Sequence, residues 1–127
     1  MSIAYLDTQT VIWLHAGASE NLTEEAKRQI QNNDLLISPM VLLELEYLFE
    51  RKRVSTTATK IYTDLHIDFG VTLCSFPFPA IANAALSCKW TRDPFDRLIV
   101  SHAKANGNSV LITSDREIRQ NYRGAKW

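Results

Sequence analysis

At 127 residues, 46% hydrophobic and 22% charged, the sequence has the size and composition of one ordinary globular domain able to bury its own core. Fourteen Lys and Arg balance fourteen Asp and Glu. That excludes a polyanion binder held by bulk positive charge and a polybasic membrane tail, while a basic rim around an acidic pocket would cancel in the sum. Two cysteines, with no CxxC and no His–Cys cluster, speak against zinc, and no stretch approaches the ~20 apolar residues of a membrane helix.

In chain order, Ile3 to Leu6 reads as a strand that reaches Asp7, rather than as part of a signal segment. A helix follows over Thr8–His15, then a loop over Gly17–Asn21. Thr23 caps a helix running to Gln31, with Glu24 and Glu25 in its first turn. Asn32-Asn33-Asp34 is a turn, Leu35–Ser38 a second strand, and Pro39 opens a helix through Arg51. Ser55–Ile67 is a further helix and Val71–Ser75 a third strand. Pro79 starts a helix to Leu86, and Asp93-Pro94 starts another that ends near Asn106-Gly107-Asn108. Ser109–Thr113 is the fourth strand, Asp115 opens a short helix, and Ala125–Trp127 is an edge strand. This alternation predicts a largely parallel sheet with helices on both faces. Cys74 and Cys88 read as buried thiols, consistent with a reducing, cytoplasmic setting.

Four acids stand at or near strand-to-helix handovers: Asp7, Glu44, Asp96 and Asp115. In a parallel sheet that edge is where ligands bind. Carboxylates gathered there repel one another unless a cation sits among them, which predicts a Mg²⁺ or Mn²⁺ site and a metal-dependent enzyme. Each acid also has an ordinary structural reading. Asp7 and Asp115 suit helix N-caps, and Asp96 suits the third position of a first turn, where the helix dipole favours an acid. Glu44 is harder to explain so, because Met40, Val41, Tyr47 and Leu48 surround it at helical spacing and a lone buried charge costs several kcal/mol.

Asp93 is read as a structural cap and Glu46 as a surface charge. Thr8, Thr113 and Ser114 are candidates to contact the waters of a bound metal. Arg92, Arg97 and Arg116 flank the acids and are candidates to hold a nucleic-acid backbone or orient the carboxylates. His15, His66 and His102 join no nucleophile motif and are read as packing or surface residues. Trp13, Trp90 and Trp127 are read as core or interface residues rather than base-stacking platforms.

Several segments together resemble a PIN-domain ribonuclease, specifically the toxin half of a bacterial VapBC-type toxin–antitoxin pair. They are Tyr5-Leu6-Asp7-Thr8-Gln9-Thr10 through Leu14, Ile37-Ser38-Pro39 through Glu44-Leu45, Arg92-Asp93-Pro94-Phe95-Asp96-Arg97-Leu98-Ile99-Val100, and Val110 through Asp115. The resemblance runs nearly end to end and places Asp7, Glu44, Asp96 and Asp115 on the family's four acidic positions. It implies a three-layer α/β/α fold with a five-stranded parallel sheet in the order 3-2-1-4-5, and Mg²⁺- or Mn²⁺-dependent hydrolysis of RNA. It also implies a homodimer, inhibited by an antitoxin that inserts an arginine or similar group into the acidic pocket. Gln9, where His or Ser is frequent, and Lys89-Trp90, where Pro and His are common, depart from the family pattern.

Two other classes are set against this reading. A haloacid-dehalogenase-type phosphatase needs a second Asp where Gln9 stands, and a receiver domain needs an acidic pair after its first strand and a late Lys; neither pattern is present. A non-cutting PIN-like module would not need all four acids.

Overall fold

Ala4, Tyr5 and Leu6 are fully buried, which a short strand achieves only at the centre of a sheet covered on both faces. The computed structural model, which describes residues 2–127, places them there. Its five strands are β1 (Ile3–Leu6), β2 (Asp34–Ile37), β3 (Thr72–Leu73), β4 (Val110–Ile112) and β5 (Ala125–Lys126). All pair in parallel, in the order β3-β2-β1-β4-β5. Seven helices complete a three-layer α/β/α arrangement: α1 (Thr8–Ala16), α2 (Glu24–Asn32), α3 (Pro39–Glu50), α4 (Ala58–Phe69), α5 (Phe78–Ala85), α6 (Pro94–Ala105) and α7 (Arg116–Asn121). None is long and apolar enough to cross a membrane.

The core joins Leu6, Leu111 and Ile112 of the central strands to Val41 and Leu45 of α3, Ile61 and Leu65 of α4, and Ile99 and Val100 of α6. Its buried phenols are satisfied: Tyr5 donates to the Cys74 thiol at 3.0 Å and accepts from the Asn106 amide at 2.9 Å, and Tyr122 donates to the Ser109 carbonyl at 2.5 Å. Cys74 and Cys88 are buried and unpaired.

Most element boundaries lie within two or three residues of the expected ones, and the differences have local causes. Asp34 is not in a turn but opens β2, paired with Ile3. Ser38 leaves the strand to cap α3 through the Met40 amide. The predicted helix at Ser55 begins three residues later, because Thr57 caps it and the Glu46 carboxylate accepts from the Ala58 amide at 3.0 Å. Glu46 is therefore a half-buried helix cap rather than a surface charge. The helix predicted to start at Pro79 starts at Phe78, putting proline in the first turn. At Gly124 an added Cβ would lie 2.7 Å from the Ser109 carbonyl and 2.8 Å from the Tyr122 ring, so only glycine lets the chain turn from α7 into β5.

Candidate active site

β1 is the point at which the sheet order reverses, with β2 on one side and β4 on the other. The crevice beyond the carboxyl ends of the strands at such a reversal is where open α/β sheets bind ligands. Leu6 pairs with Ile112, so the next residues, Asp7 and Thr113, emerge side by side. The Thr113 hydroxyl donates to Asp7 Oδ2, and the Thr10 amide donates to Asp7 Oδ1 at 2.9 Å.

Around this point a cavity of about 400 Å³ is lined by Asp7, Thr8, Gln9, Ile12, Glu44, Leu48, Asp93, Asp96, Ile99, Ser114 and Asp115. The four expected acids thus converge on one space, and Asp93 joins them as a fifth. Reading Asp93 as a cap was right but incomplete. Its Oδ1 accepts from the Phe95 and Asp96 amides at 2.9 and 3.3 Å, and its side chain also faces the cavity. Asp115 works the same way, with Oδ1 accepting from the Ile118 amide at 2.9 Å. A carboxylate has two oxygens, so capping a helix with one leaves the other to face the pocket. Cap and site are compatible roles here.

Thr8 and Thr113, expected to meet metal-bound water, instead bond directly to carboxylates: Thr8 donates to Glu44 Oε1 and Thr113 to Asp7. Thr113 is buried behind the cavity wall and also accepts from the Asp115 amide at 3.0 Å. Ser114 and Gln9 line the wall itself. The Asp96 carboxylate receives no hydrogen bond from any described residue.

The electrostatics of this cluster are one-sided. The ion pairs among the described residues are His15–Asp64, Lys27–Glu24, Arg28–Glu25 and Lys60–Asp64; none reaches the five pocket acids. Burial pushes the Asp7 carboxyl up, against the pull of its Thr113 and Thr10 hydrogen bonds. Burial likewise raises Glu44, opposed by Thr8 and reinforced by Asp93 and Asp7. Asp96, with no donor, is pushed up to about 7 by burial and then by Asp93, Asp115, Glu44 and Asp7.

None of the arginines expected to flank the acids lines the acidic cavity. Arg97 is a correction: its guanidinium donates to the Ala85 carbonyl at 2.8 Å. The last carbonyls of a helix have no partner within it, and at the end of α5 Arg97 and the Cys88 amide share the Ala85 carbonyl. Arg116 lines a separate cavity, and Arg92 is exposed. None of the histidines lines the acidic cavity. His102 is buried with Nδ1 at 2.9 Å from both Ser38 Oγ and the Leu98 carbonyl, His15 meets Asp64 at 2.8 Å, and His66 meets the Val71 carbonyl at 2.9 Å.

The PIN domain profile matches residues 4–124. The chain belongs to the PIN domain family. PIN domains are generally nucleases. No curated protein is a significant match to the chain. Among solved structures, VapBC2 from Rickettsia felis bound to a promoter DNA fragment is similar with a TM-score of 0.63 and 20% identity over 98% of each chain. DNA-bound VapBC from Salmonella typhimurium gives 0.62 and 22%, covering 99% of this chain and 96% of that one. VapBC-1 from nontypeable Haemophilus influenzae gives 0.57 and 22%, covering 98% and 96%. At such identities the likeness is one of fold, and the strand order of this PIN domain agrees with it.

The donor set of the pocket suits a hard divalent cation. It offers carboxylate and hydroxyl oxygens and no thiolate or imidazole, the preference of Mg²⁺ and Mn²⁺. Among the described residues no three acids, histidines or cysteines form a ready-made coordination group. Mg²⁺ commonly keeps several of its waters and takes only one or two carboxylates directly, so an open acidic cavity fits it better than a closed cage would.

The raised carboxyls carry a test of their own. Between the ordinary Asp value of 3.8 and about 7, the folded protein keeps a proton on Asp96 that the unfolded chain has lost. Stability therefore declines as pH rises through that window. In EDTA the melting temperature of this PIN domain is expected to fall from about pH 4 to about pH 7, and millimolar Mg²⁺ or Mn²⁺ is expected to restore it at pH 7.5. A profile rising steadily to pH 7.5 without metal, indifferent to added cation, would contradict the electrostatic account.

Proposed function

We propose that this PIN domain is a Mg²⁺- or Mn²⁺-dependent endoribonuclease acting as the toxin of a VapBC-type pair. The observation that carries the reading is the convergence of Asp7, Glu44, Asp93, Asp96 and Asp115 on one cavity with no cation of the described residues among them. Asp7, Glu44 and Asp96 would be the main ligands, with Asp115 either a ligand or a neighbour that orients the base. The chemistry supplied by a divalent cation at such a site is Lewis-acid stabilisation of the charge that develops on a phosphodiester during hydrolysis.

The chain's own contribution is placement. Thr113 and Thr10 hold the two oxygens of Asp7, and Thr8 holds one oxygen of Glu44. Asp96 is left unrestrained, and its carboxyl gains or loses a proton near neutral pH according to the charge beside it. Ile12, Leu48 and Ile99 in the wall limit solvent and strengthen each charge interaction inside. Arg92 and Arg116 each adjoin a pocket acid in sequence and would meet phosphates of an RNA strand. A cytoplasmic homodimer, held in check by an antitoxin that inserts a cationic group into the acidic cavity, completes the proposal. The antitoxin partner is supported by the VapBC complexes that share the fold.

The direct test is to incubate purified protein, freed of any partner, with total cellular RNA in Mg²⁺, Mn²⁺ or EDTA beside Asp7→Asn, and to map new ends by sequencing. Discrete metal-dependent cuts, absent from the variant, are expected. Folded protein that leaves RNA intact with every metal would favour a PIN-type binding module that does not cut.

A further inference from the structure

A second cavity, of about 680 Å³, opens beside the acidic one and is chemically its opposite. It is lined by Arg116, Arg119, Gln120, Lys126 and Trp127, with Glu25 and Ala125 completing the wall. Three cations share this space, and none of them is in an ion pair among the described residues. The one acid present is already engaged: Glu25 accepts from the Arg28 guanidinium and, at 3.0 Å, from the Gln29 amide. Trp127 packs against Trp13 with ring centroids 5.7 Å apart, which fixes an aromatic ring in the cavity wall.

Topology places this cavity next to the acids. Asp115 lines the acidic cavity and Arg116, the next residue, lines the basic one. Lys126 pairs with Ile112 across β4 and β5, and its carbonyl accepts from the Thr113 amide at 3.0 Å. Both cavities therefore lie at the carboxyl edge of the sheet, separated by the segment from Thr113 to Arg116. The zero net charge of the chain conceals two adjoining regions of opposite sign.

We infer that Arg116, Arg119, Lys126 and Trp127 form a subsite for single-stranded RNA flanking the bond at the acidic cavity; this rests on the ribonuclease reading proposed above. The three cations meet backbone phosphates and so provide affinity without sequence information. Trp127, expected from the sequence to be a core or interface residue, both packs on Trp13 and lines this cavity, where an unpaired base stacks on it, a contact open to single strands and closed to bases already stacked in a duplex. The basic cavity also explains how a polyanion approaches a cluster of carboxylates, because it supplies the attraction that the acids withhold.

Binding is measured in EDTA, where no cutting complicates it, by fluorescence anisotropy of a labelled single-stranded RNA of about 12 nucleotides across a range of salt. The slope of log affinity against log salt is about −0.7 per phosphate neutralised on a single strand. The triple variant R116A/R119A/K126A is therefore expected to weaken binding by at least tenfold at 0.1 M salt and to make the slope shallower by about 2. W127A is expected to weaken binding by about fivefold to hundredfold, and W127F to keep most of the affinity. K104A/R123A, which removes two cations lining a cavity that shares only Lys126 with this one, is expected to leave both quantities unchanged, and circular dichroism verifies that each variant is folded.

Equal loss in K104A/R123A, an unchanged slope in the triple variant, or duplex DNA of the same sequence binding equally well with the same dependence on Trp127 would each overturn the subsite. Wild-type protein that binds RNA through these residues in EDTA yet never cuts it in Mn²⁺ would uphold the subsite and overturn the ribonuclease reading instead.

Discussion

Asp96→Asn is expected to cut metal-dependent RNA cleavage by about 10²–10⁴-fold while making the metal-free protein more resistant to heat above pH 7. Loss of activity follows from the role of its carboxylate. Stabilisation of transition-state charge by a bound cation is worth several kcal/mol, and each 1.36 kcal/mol is a factor of ten in rate. The gain in stability follows from the same side chain without its cation. Asp96 is half-buried, receives no hydrogen bond, and is raised to about 7 by burial and by four neighbouring acids. A neutral amide of the same shape removes that repulsion. Above pH 7 in EDTA the variant is expected to melt several degrees higher than wild type, and its stability to decline less as pH rises from about 4. Part of the slope remains, since Asp7 and Glu44 are raised as well. A variant that cuts RNA at the wild-type rate, or melts below wild type in EDTA at pH 8, would refute the assignment. A residue that weakens the fold for the sake of the site is the usual form of the stability–activity trade-off.

The second large effect is expected at a residue that does not line the cavity at all. Thr113 is fully buried, donates to Asp7 Oδ2 and accepts from the Asp115 amide at 3.0 Å. Thr113→Val keeps the shape and deletes both bonds. It leaves a buried carboxylate oxygen and a backbone amide without partners, at a cost of about 1–3 kcal/mol for each neutral group and more for the charged one. A destabilisation of about 3 kcal/mol, or a fall in melting temperature of about 10 °C, is expected. Because Asp7 loses the hydroxyl that orients it, cleavage is expected to fall about 10–100-fold even at temperatures where the variant is fully folded. Thr113→Ser, which retains the hydroxyl, should recover most of both. Urea denaturation and cleavage assays of the two variants side by side decide the matter; equal behaviour of Val and Ser would mean that the hydroxyl positions nothing.

Much of the site was legible because its signals are local. Glu44 stands among apolar residues at helical spacing, a conflict that one helix displays without reference to the rest of the chain. Asp7, Asp93 and Asp115 each sit where a run of strand or loop residues gives way to a helix, and all three do cap one. What local reasoning treated as alternatives, cap or pocket, the structure combines, because one carboxylate oxygen suffices for the cap. Asp93, whose capping role accounts for it locally, stands in the wall with Asp96. Its clue was present: an acid three residues before another, at the same helix start, shares its surroundings.

By itself the sequence determined the order of strands and helices, the parallel character of the sheet and the four acids at its carboxyl edge. Each of these depends on side-chain periodicity, turn residues and caps within a few positions of one another. Only the tertiary structure decided where the longer side chains go. Arg97 turns to the last carbonyl of α5, Glu46 reaches across to cap α4, and Arg116 joins Arg119, Lys126 and Trp127 rather than the acids beside it. The first two choices depend on partners 12 residues away, and all three on elements brought into reach by strand register and helix packing. A sequence shows that a charge needs a partner; the closed fold selects which partner it finds.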